Sequence, residues 1–481
     1  MTKHLDIDTQ AMRAKILDLA IQGKLTNQRA EDGNAQDLLK EIQAEKEKLI
    51  KEKKIKKEKP LPEITEAEKP FEIPKNWMWA RWGTLSISIK YGYNTSAQKD
   101  GKIKMVRISD IQNNQVSWDS VPFCNIPKEE ITQYLLRKND ILFARTGGTV
   151  GKSYLVSEVP ENVVYAGYLI RTRYSENLSP QYLKYFMESD LYWSQLKKGT
   201  TTTAQPNCNA KTLGKMVLPL PPLAEQKRIA DKVSALFAQL DAIDKAYEEY
   251  RELQQTMKTK LLDLAMQGKL TDQRKEDGNA RDLLKEIQAE KEKLIKEKQI
   301  KKEKPLPEIT EEEKTFDIPE NWMWVRLGEM ILNHIGGGTP DKSNEAYWNG
   351  DIPWMSVKDV HQDSMYADRT IDSITPAGLE NSSSNLIEAN RLIVVMRMAV
   401  GRAVINKLPV AINQDLRALF FRDNVTQEYI LRIFKILKFE TSGMTVKGIK
   451  LWVLLNTPIP LPPLAEQKRI VAKLDELLPL L

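Results

Sequence analysis

The sequence predicts an α+β protein. Two α/β-type globular domains are separated by long helices that pair as an antiparallel coiled coil, in a circular, pseudo-two-fold arrangement. Three observations carry this. Residues 17–79 return almost unchanged at 262–324, with nine of 63 positions differing. Residues 218–233, LPLPPLAEQKRIADKV, return as IPLPPLAEQKRIVAKL at 459–474. Between these blocks lie two segments, about 80–217 and 325–458, that resemble each other only faintly. The order is constant, variable, constant, variable, constant. The period of about 245 residues far exceeds the 20–50 of solenoids, so this is a domain duplication.

In chain order the pieces are as follows. Residues 1–24 form the N-terminal half of a split constant helix, and 25–76 a charged helical arm and connector. Residues 77–217 form the first variable domain, and 218–268 the central constant helix. A second arm and connector (269–321), a second variable domain (322–458) and the C-terminal half of the split helix (459–481) complete the chain.

The central helix is read from its periodicity. Pro221 and Pro222 suit its entry. The positions Ile229, Val233, Leu236, Leu240, Ile243, Tyr247, Tyr250, Gln254, Met257, Leu261 and Leu264 then step by fours and threes, a heptad seam that calls for a partner helix. A core helix of an ordinary bundle is the plainer alternative. Gly268 suits the stop. The partner comes from the chain ends. Leu481 aligns with Leu240 and Met1 with Ala246, so the seam resumes at Leu5, Thr9, Met12, Ile16 and Leu19.

The arms 37–59 and 282–304 read as charged helices with sparse apolar positions. Glu47–Lys51 and Glu52–Lys56 are favourable i,i+4 pairs. A solvated or partly mobile arm is expected, with a lysine-rich surface for DNA phosphates or a partner as the functional alternative. Pro60, Pro62 and Pro74 then impose an extended connector. Trp77 and Trp79 open the variable domain as core anchors.

The variable domains can be aligned with each other. Arg107-Ile108-Ser109-Asp110-Ile111 matches Ser356-Val357-Lys358-Asp359-Val360. Strand 139–145 matches 390–397, both ending in arginine, Arg145 or Arg397. A turn with Gly151 or Gly401 follows, then Lys152 or Arg402. Gly199-Thr200-Thr201 matches Gly443-Met444-Thr445. Thr146-Gly147-Gly148-Thr149-Val150-Gly151-Lys152-Ser153 is a poor phosphate loop, because threonine stands where its first glycine is needed and the second copy lacks it. It reads as a hairpin turn, or as a loop whose amides, Arg145 and Lys152 meet DNA.

Composition closes other routes. Lys+Arg 72 against Asp+Glu 66 gives +6, too mild for a uniformly basic nucleic-acid module. The excess is local: residues 80–218 hold 18 Lys+Arg against 11 Asp+Glu, and 325–458 hold 15 against 14. Cys124 and Cys208 exclude a disulfide framework and a Cys-rich zinc site. His4, His334 and His361 lack ligand spacing. No S-adenosylmethionine loop, methylation tetrad or nuclease pattern is visible. Without a signal peptide or an apolar span, a cytoplasmic protein without membrane partners is expected.

The openings Trp77-Met78-Trp79-Ala80-Arg81-Trp82-Gly83 and Trp322-Met323-Trp324-Val325-Arg326-Leu327-Gly328, together with the twice-written Pro-Leu-Pro-Pro-Leu-Ala-Glu-Gln-Lys-Arg-Ile, resemble the specificity subunit of type I restriction–modification systems. So do Gly337-Gly338-Thr339-Pro340, 347–354 (YWNGDIPW) and 411–416 (AINQDL) in the second domain. The resemblance implies a non-catalytic reader of double-stranded DNA. Each variable domain would be a target-recognition domain for one half of a bipartite, asymmetric site. The constant helices would set the spacer and dock two methyltransferase (M) subunits, with restriction/translocase (R) subunits further out. No cofactor is expected in this chain; S-adenosylmethionine, ATP and Mg would belong to partner subunits. Candidate DNA contacts are Arg107, Ser109, Arg145, Thr146, Thr149, Lys152, Thr201, Gln205 and Asn207 in the first domain. In the second they are Thr339, Ser356, Lys358, Arg397, Arg402, Asn413, Gln414 and Lys447. A self-sufficient enzyme, a coiled-coil scaffold and a stand-alone DNA-binding protein are the rival classes.

Overall fold

The computed structural model describes residues 7–481 apart from 200–206, 363, 438, 440 and 442–446. The described residues divide into two compact units between Tyr247 and Glu248. The helix Leu223–Met266, 44 residues and about 65 Å long at 1.5 Å per residue, begins in the N-terminal unit and ends in the C-terminal one.

In the N-terminal unit the helix Thr9–Ile21 is capped by Asp8, whose carboxylate accepts from the Ala11 N–H at 2.8 Å. It ends where Gly23 takes φ +71°. Pro74 closes over this turn so tightly that a Cβ would lie 2.5 Å from its ring. Gly268 repeats the arrangement against Pro319. The short helix runs antiparallel to the long one. Thr9 Oγ1 donates to Asp244 at 2.7 Å, Arg13 reaches Asp241 at 2.7 Å and lies 5.2 Å above the Phe237 ring, and Thr26 reaches back to Glu225 at 3.2 Å. Partner numbers fall as the first chain rises, as the seam requires. In the C-terminal unit Gln254 donates its amide to the Leu481 carbonyl, while Thr271 bonds Glu466, the same antiparallel order.

The seam itself is less continuous than its heptads imply. Ile229, Val233 and Leu240 are buried, but Ile243, Tyr250 and Met257 are 38%, 45% and 45% exposed. On the short helix Leu17, Ala20 and Ile21 are buried and Met12 is exposed, while Leu5 lies outside the described residues. Among the described residues the helices of the N-terminal unit meet near Asp244 through Arg13 and its two aspartates. The C-terminal helix Leu464–Leu477 gives way to a 3-10 turn containing Pro479, which cannot continue the α-helical ladder.

The charged arm also departs from expectation. Its helix, Ala35–Lys51, is not solvated all round: Ala35, Leu38 and Ile42 are buried in the core, and Lys46 Nζ donates to the Gly83 carbonyl at 2.9 Å. In the second copy, Ala280–Lys296, Ala280, Leu283, Leu284 and Ile287 are buried. Few apolar residues suffice because the spacing of three and four puts them on one stripe.

The constant blocks build the same frame in each unit. The indole N–H of buried Trp77 donates to the fully buried Glu225 carboxylate at 2.8 Å; Trp322 does the same to Glu466 at 2.7 Å. Burial pushes the Glu466 carboxyl above its usual range, opposed by hydrogen bonds from Trp322, Gln273 and Thr271. Arg228 grips Asp32 with both terminal nitrogens at 2.5 Å, and Arg469 grips Asp277 at 2.6 and 2.5 Å. The strand Met78–Arg81 pairs antiparallel with Val217–Leu220, and Met323–Arg326 with Pro458–Leu461, so each variable segment leaves and re-enters its frame at one place.

Between those strands lie the two variable folds. The first has a sheet ordered Ser86–Tyr91, Leu169–Tyr174, Ile141–Ala144, Ser153–Leu155, all antiparallel. A smaller sheet pairs Ile103–Val106 in parallel with Val163–Tyr165. The second repeats both themes. Asn333–Gly336, Leu416–Phe420, Leu392–Val395 and Ala403–Asn406 are consecutive in one sheet, and Trp348–Met355 pairs in parallel with Val410–Ile412 in another. Each unit has one main core joining arm helix, tryptophan, central sheet and constant helix.

Candidate nucleic-acid interface

In the N-terminal unit the candidates gather where the central strand Ile141–Ala144 ends. Arg145 follows it and lays its guanidinium 4.7 Å above the Tyr91 ring. Its backbone is held on both sides, donating to the Tyr168 carbonyl at 3.1 Å and accepting from Cys208 at 2.9 Å. Thr146 bridges to Asn207. The loop 146–153 is a hairpin: Ile141–Ala144 and Ser153–Leu155 pair antiparallel around a 3-10 turn at Gly147–Thr149. Thr149 and exposed Lys152 line a cleft of about 470 Å³ with Asn113, Asn114 and Trp193. Ile108 and Ile111 line it too, which places the turn carrying Arg107 and Ser109 beside the hairpin. Arg107 is committed to Asp110, at 3.0 Å through Nε and 2.7 Å through a terminal nitrogen. That hydrogen bond raises its already high pKa. Ser109 is exposed. Thr201 and Gln205 lie outside the described residues.

In the C-terminal unit the matching corner is organised by Asp415, a residue not singled out from sequence. Its carboxylate takes Arg397 Nε at 2.6 Å, Asn413 at 3.3 Å and Gln414 at 3.4 Å. Thr339 donates its hydroxyl to Gln414. Asn413 is buried and spends its side chain on Asp415 and the turn, so it positions neighbours; Arg397, with its side chain 48% exposed, is free to reach outward. Ser356 is also buried and caps the turn Val357–Asp359 with Asp359, leaving Lys358 exposed. Arg402 is half-buried, with one terminal nitrogen 3.5 Å from the Val360 carbonyl. Lys447 is exposed, and its carbonyl accepts from Met398 at 2.9 Å.

The two corners correspond, with one correction. Leu169 pairs with Ala144, and Leu416 with Val395. Thr146 bridges Asn207, and Arg397 bridges Gly448. Arg397 therefore matches Thr146, and Arg145 matches Met396. The sequence alignment set the two arginines against each other and was one residue out. The tip residues are Gly147 and Met398, both with positive φ, +76° and +72°. Met398 is 68% exposed in a conformation that suits glycine. The match of the 107–111 and 356–360 turns holds: each is a 3-10 turn capped by the aspartate at its third position.

Among the described residues no group of three or more His, Cys, Asp or Glu is placed to hold a metal. Both cysteines are buried, and burial pushes the Cys208 thiol up to about 11, the wrong direction for a nucleophile. No helix of the described residues is long and apolar enough to cross a membrane.

Comparison with known proteins agrees with this duplicated plan. The family described as type I restriction modification DNA specificity domain matches residues 89–250 and 319–479, about two thirds of the chain. The type I restriction enzyme EcoEI specificity subunit of Escherichia coli is 27% identical over 97% of this chain and 88% of its own length. The EcoAI specificity subunit of the same species is also 27% identical, with the same coverage. A solved structure from work on complex assembly and conformational transition of the type I R-M system is 24% identical. It covers 85% of this chain and 91% of its own, with a TM-score of 0.54, and so shares the fold.

Proposed function

This chain belongs to the type I restriction–modification DNA specificity family, and we propose that it is the DNA-reading subunit of such a complex. Each recognition domain reads one half of a bipartite, asymmetric target. The long helix sets the unread spacer and, with the split helix, docks two methyltransferase subunits, to which restriction/translocase subunits add. The chain is itself non-catalytic and acts in the cytoplasm. S-adenosylmethionine, ATP and Mg serve the partner subunits. The observation that carries this reading is the contrast between frame and corner. The tryptophan–glutamate, arginine–aspartate and strand pairings are the same in both units, while the corners present Arg145, Thr146, Gly147 and Asn207 in one and Met396, Arg397, Met398 and Gly448 in the other. Like frames with unlike side chains at base-reading positions are what two different half-sites need.

The test is an exchange. Residues 80–217 are replaced by the corresponding segment of another family member, and the methylated sequence is mapped genome-wide with the methyltransferase subunits present. One half-site is expected to change and the other to persist. A change in both would sink the one-domain, one-half-site assignment.

Met398 offers a finer test. Met398→Gly relieves a left-handed backbone and is expected to stabilise the chain by up to about 1 kcal/mol in urea titration. It removes an exposed apolar side chain from the reading corner, so discrimination should fall at the C-terminal unit's half-site alone. A methylation pattern identical to the parent would remove Met398 from the reading surface.

A further inference from the structure

The N-terminal unit holds a second feature that the reading corner does not use. A cleft of about 1250 Å³ runs between the segment after the arm helix and the free edge of strand Ser86–Tyr91. Eight lysines and arginines line it against four carboxylates, Glu45, Glu58, Asp140 and Glu176. Two of those carboxylates already have partners, and Asp140 spends its charge inside the cleft. Glu45 accepts from Ser175 at 2.5 Å, and Asp140 takes Arg173 at 2.7 Å and the Arg137 N–H at 2.9 Å. Lys56, Lys90, Arg137 and Lys138 are exposed along the cleft. Arg171, 1% exposed, also lines it, and its Nε has no hydrogen-bond partner. Burial, then the charges of Arg171, Arg173 and Lys56, hold the Lys90 ammonium below its usual range. Asp140 answers Arg173 at 2.7 Å and lies 3.9 Å from Arg171 Nε, which leaves the exposed Lys56, Lys90, Arg137 and Lys138 as the cations that gain most from an anion.

The C-terminal unit has nearly the same arm sequence but closes its charges. Glu303 takes Lys291 at 3.3 Å and His334 Nε2 at 2.8 Å, and Arg417 donates to His334 Nδ1 at 2.8 Å. His334 pairs with Leu419; in the first sheet the same register holds Ile89, paired with Thr172, which can bond neither cation nor carboxylate. The cleft also leads somewhere. Tyr91, at the end of the edge strand, lines it and carries Arg145 of the reading corner on its ring.

We infer that this cleft grips one phosphodiester strand of the DNA beside the half-site read by the N-terminal unit, with Lys56, Lys90 and Lys138 as phosphate contacts, and that the C-terminal unit has no equivalent grip. The inference rests on the DNA-reading function proposed above. DNA is favoured over an acidic protein because the cationic track is continuous with the base-reading corner.

The test uses the full chain assembled with its methyltransferase subunits. The probes are a duplex carrying the methylated target and a non-target duplex of equal length. For the triple variant Lys56→Gln, Lys90→Gln, Lys138→Gln, the slope of log affinity against log salt should become shallower by about 2–3, at ~0.9 per phosphate contact. Affinity near physiological salt should fall about 10- to 100-fold on both duplexes, with the methylated sequence unchanged. The triple Lys→Arg variant should restore the slope. Lys301→Gln with Lys304→Gln in the second arm should cost less than about threefold. An unchanged slope, or an equal loss in the second-arm control, overturns the inference. So does loss of the methyltransferase subunits at constant slope, which assigns the cleft to a protein partner. If the unaltered assembly shows no sequence-selective methylation, the proposed function fails instead, and that arm is read independently.

Discussion

Replacing Arg81 with methionine is expected to destabilise the N-terminal unit by about 3–5 kcal/mol, at least a fifth of the ~5–15 kcal/mol that a domain has in hand. Arg81 is 4% exposed, and all five of its N–H donors are used. Nε donates to the Pro62 carbonyl at 2.7 Å; the terminal nitrogens reach Lys215 at 2.6 Å, Glu63 at 2.8 Å and both oxygens of Glu68 at 3.0 Å. One side chain thus ties the proline-rich connector to its own strand, Met78–Arg81, and to the chain just before the partner strand Val217–Leu220. Methionine fills similar space but leaves three carbonyls without donors. Lysine should rescue little, since three donors on a point charge cannot span that fork. Arg326 makes the same five contacts in the C-terminal unit, and Arg326→Met should destabilise that unit alone. The carboxylate side gives the sign with pH. The hydrogen bond from Arg81 lowers Glu68 from 4.5 to about 2. Its contribution is therefore complete above the unfolded value and lost as pH falls from about 4.5 through 2. Urea titrations from pH 7 to 3 should show a smaller acid loss in Glu68→Gln than in the parent. Equal m-values and midpoints for Arg81→Met and the parent would mean the five bonds are replaceable by water.

Those arginines were visible in the sequence only as letters of a repeated opening. Their partners lie 13–19 residues before them and about 134 residues after, and no local pattern reports that distance. The same holds for Arg228 and Asp32, separated by 196 residues. Other features were legible because they are periodic or duplicated. The long helix, its antiparallel partner, the two recognition folds and the hairpin at 146–153 follow from heptads, repeats and alternation. The Arg145–Arg397 alignment slipped by one residue because two arginines at a strand end outweigh register, which only cross-strand pairing fixes. The arm was read as solvated because three buried residues in seventeen are few by composition, though they form one complete stripe. Asp415 is legible in the sequence only as part of the 411–416 motif, because its partner Arg397 lies 18 residues away; its carboxylate holds Arg397 and the Asn413–Gln414 turn together.

Inserting four residues after Tyr247 is expected to leave both half-sites intact and lengthen the spacer between them by one or two base pairs. The insertion adds about 6 Å to the helix at 1.5 Å per residue, nearly two base pairs at ~3.4 Å each. It also turns the helix by about 40° beyond a full turn, in the sense in which added base pairs rotate one groove site against the other. The site is chosen from the contacts. Thr9 and Arg13 hold Asp241 and Asp244 on one side, and Gln254 holds the Leu481 carbonyl on the other. An insertion between them keeps each set within its own unit. Proline at Leu240 is the contrasting case. That residue is 4% exposed inside the helix, so the substitution breaks the ladder, costs ~3 kcal/mol or more and should weaken binding at every spacer length. Selection of targets from a library with randomised spacers, read by methylation, separates the outcomes. A spacer unchanged at full affinity would show that the long helix does not set the distance between the half-sites.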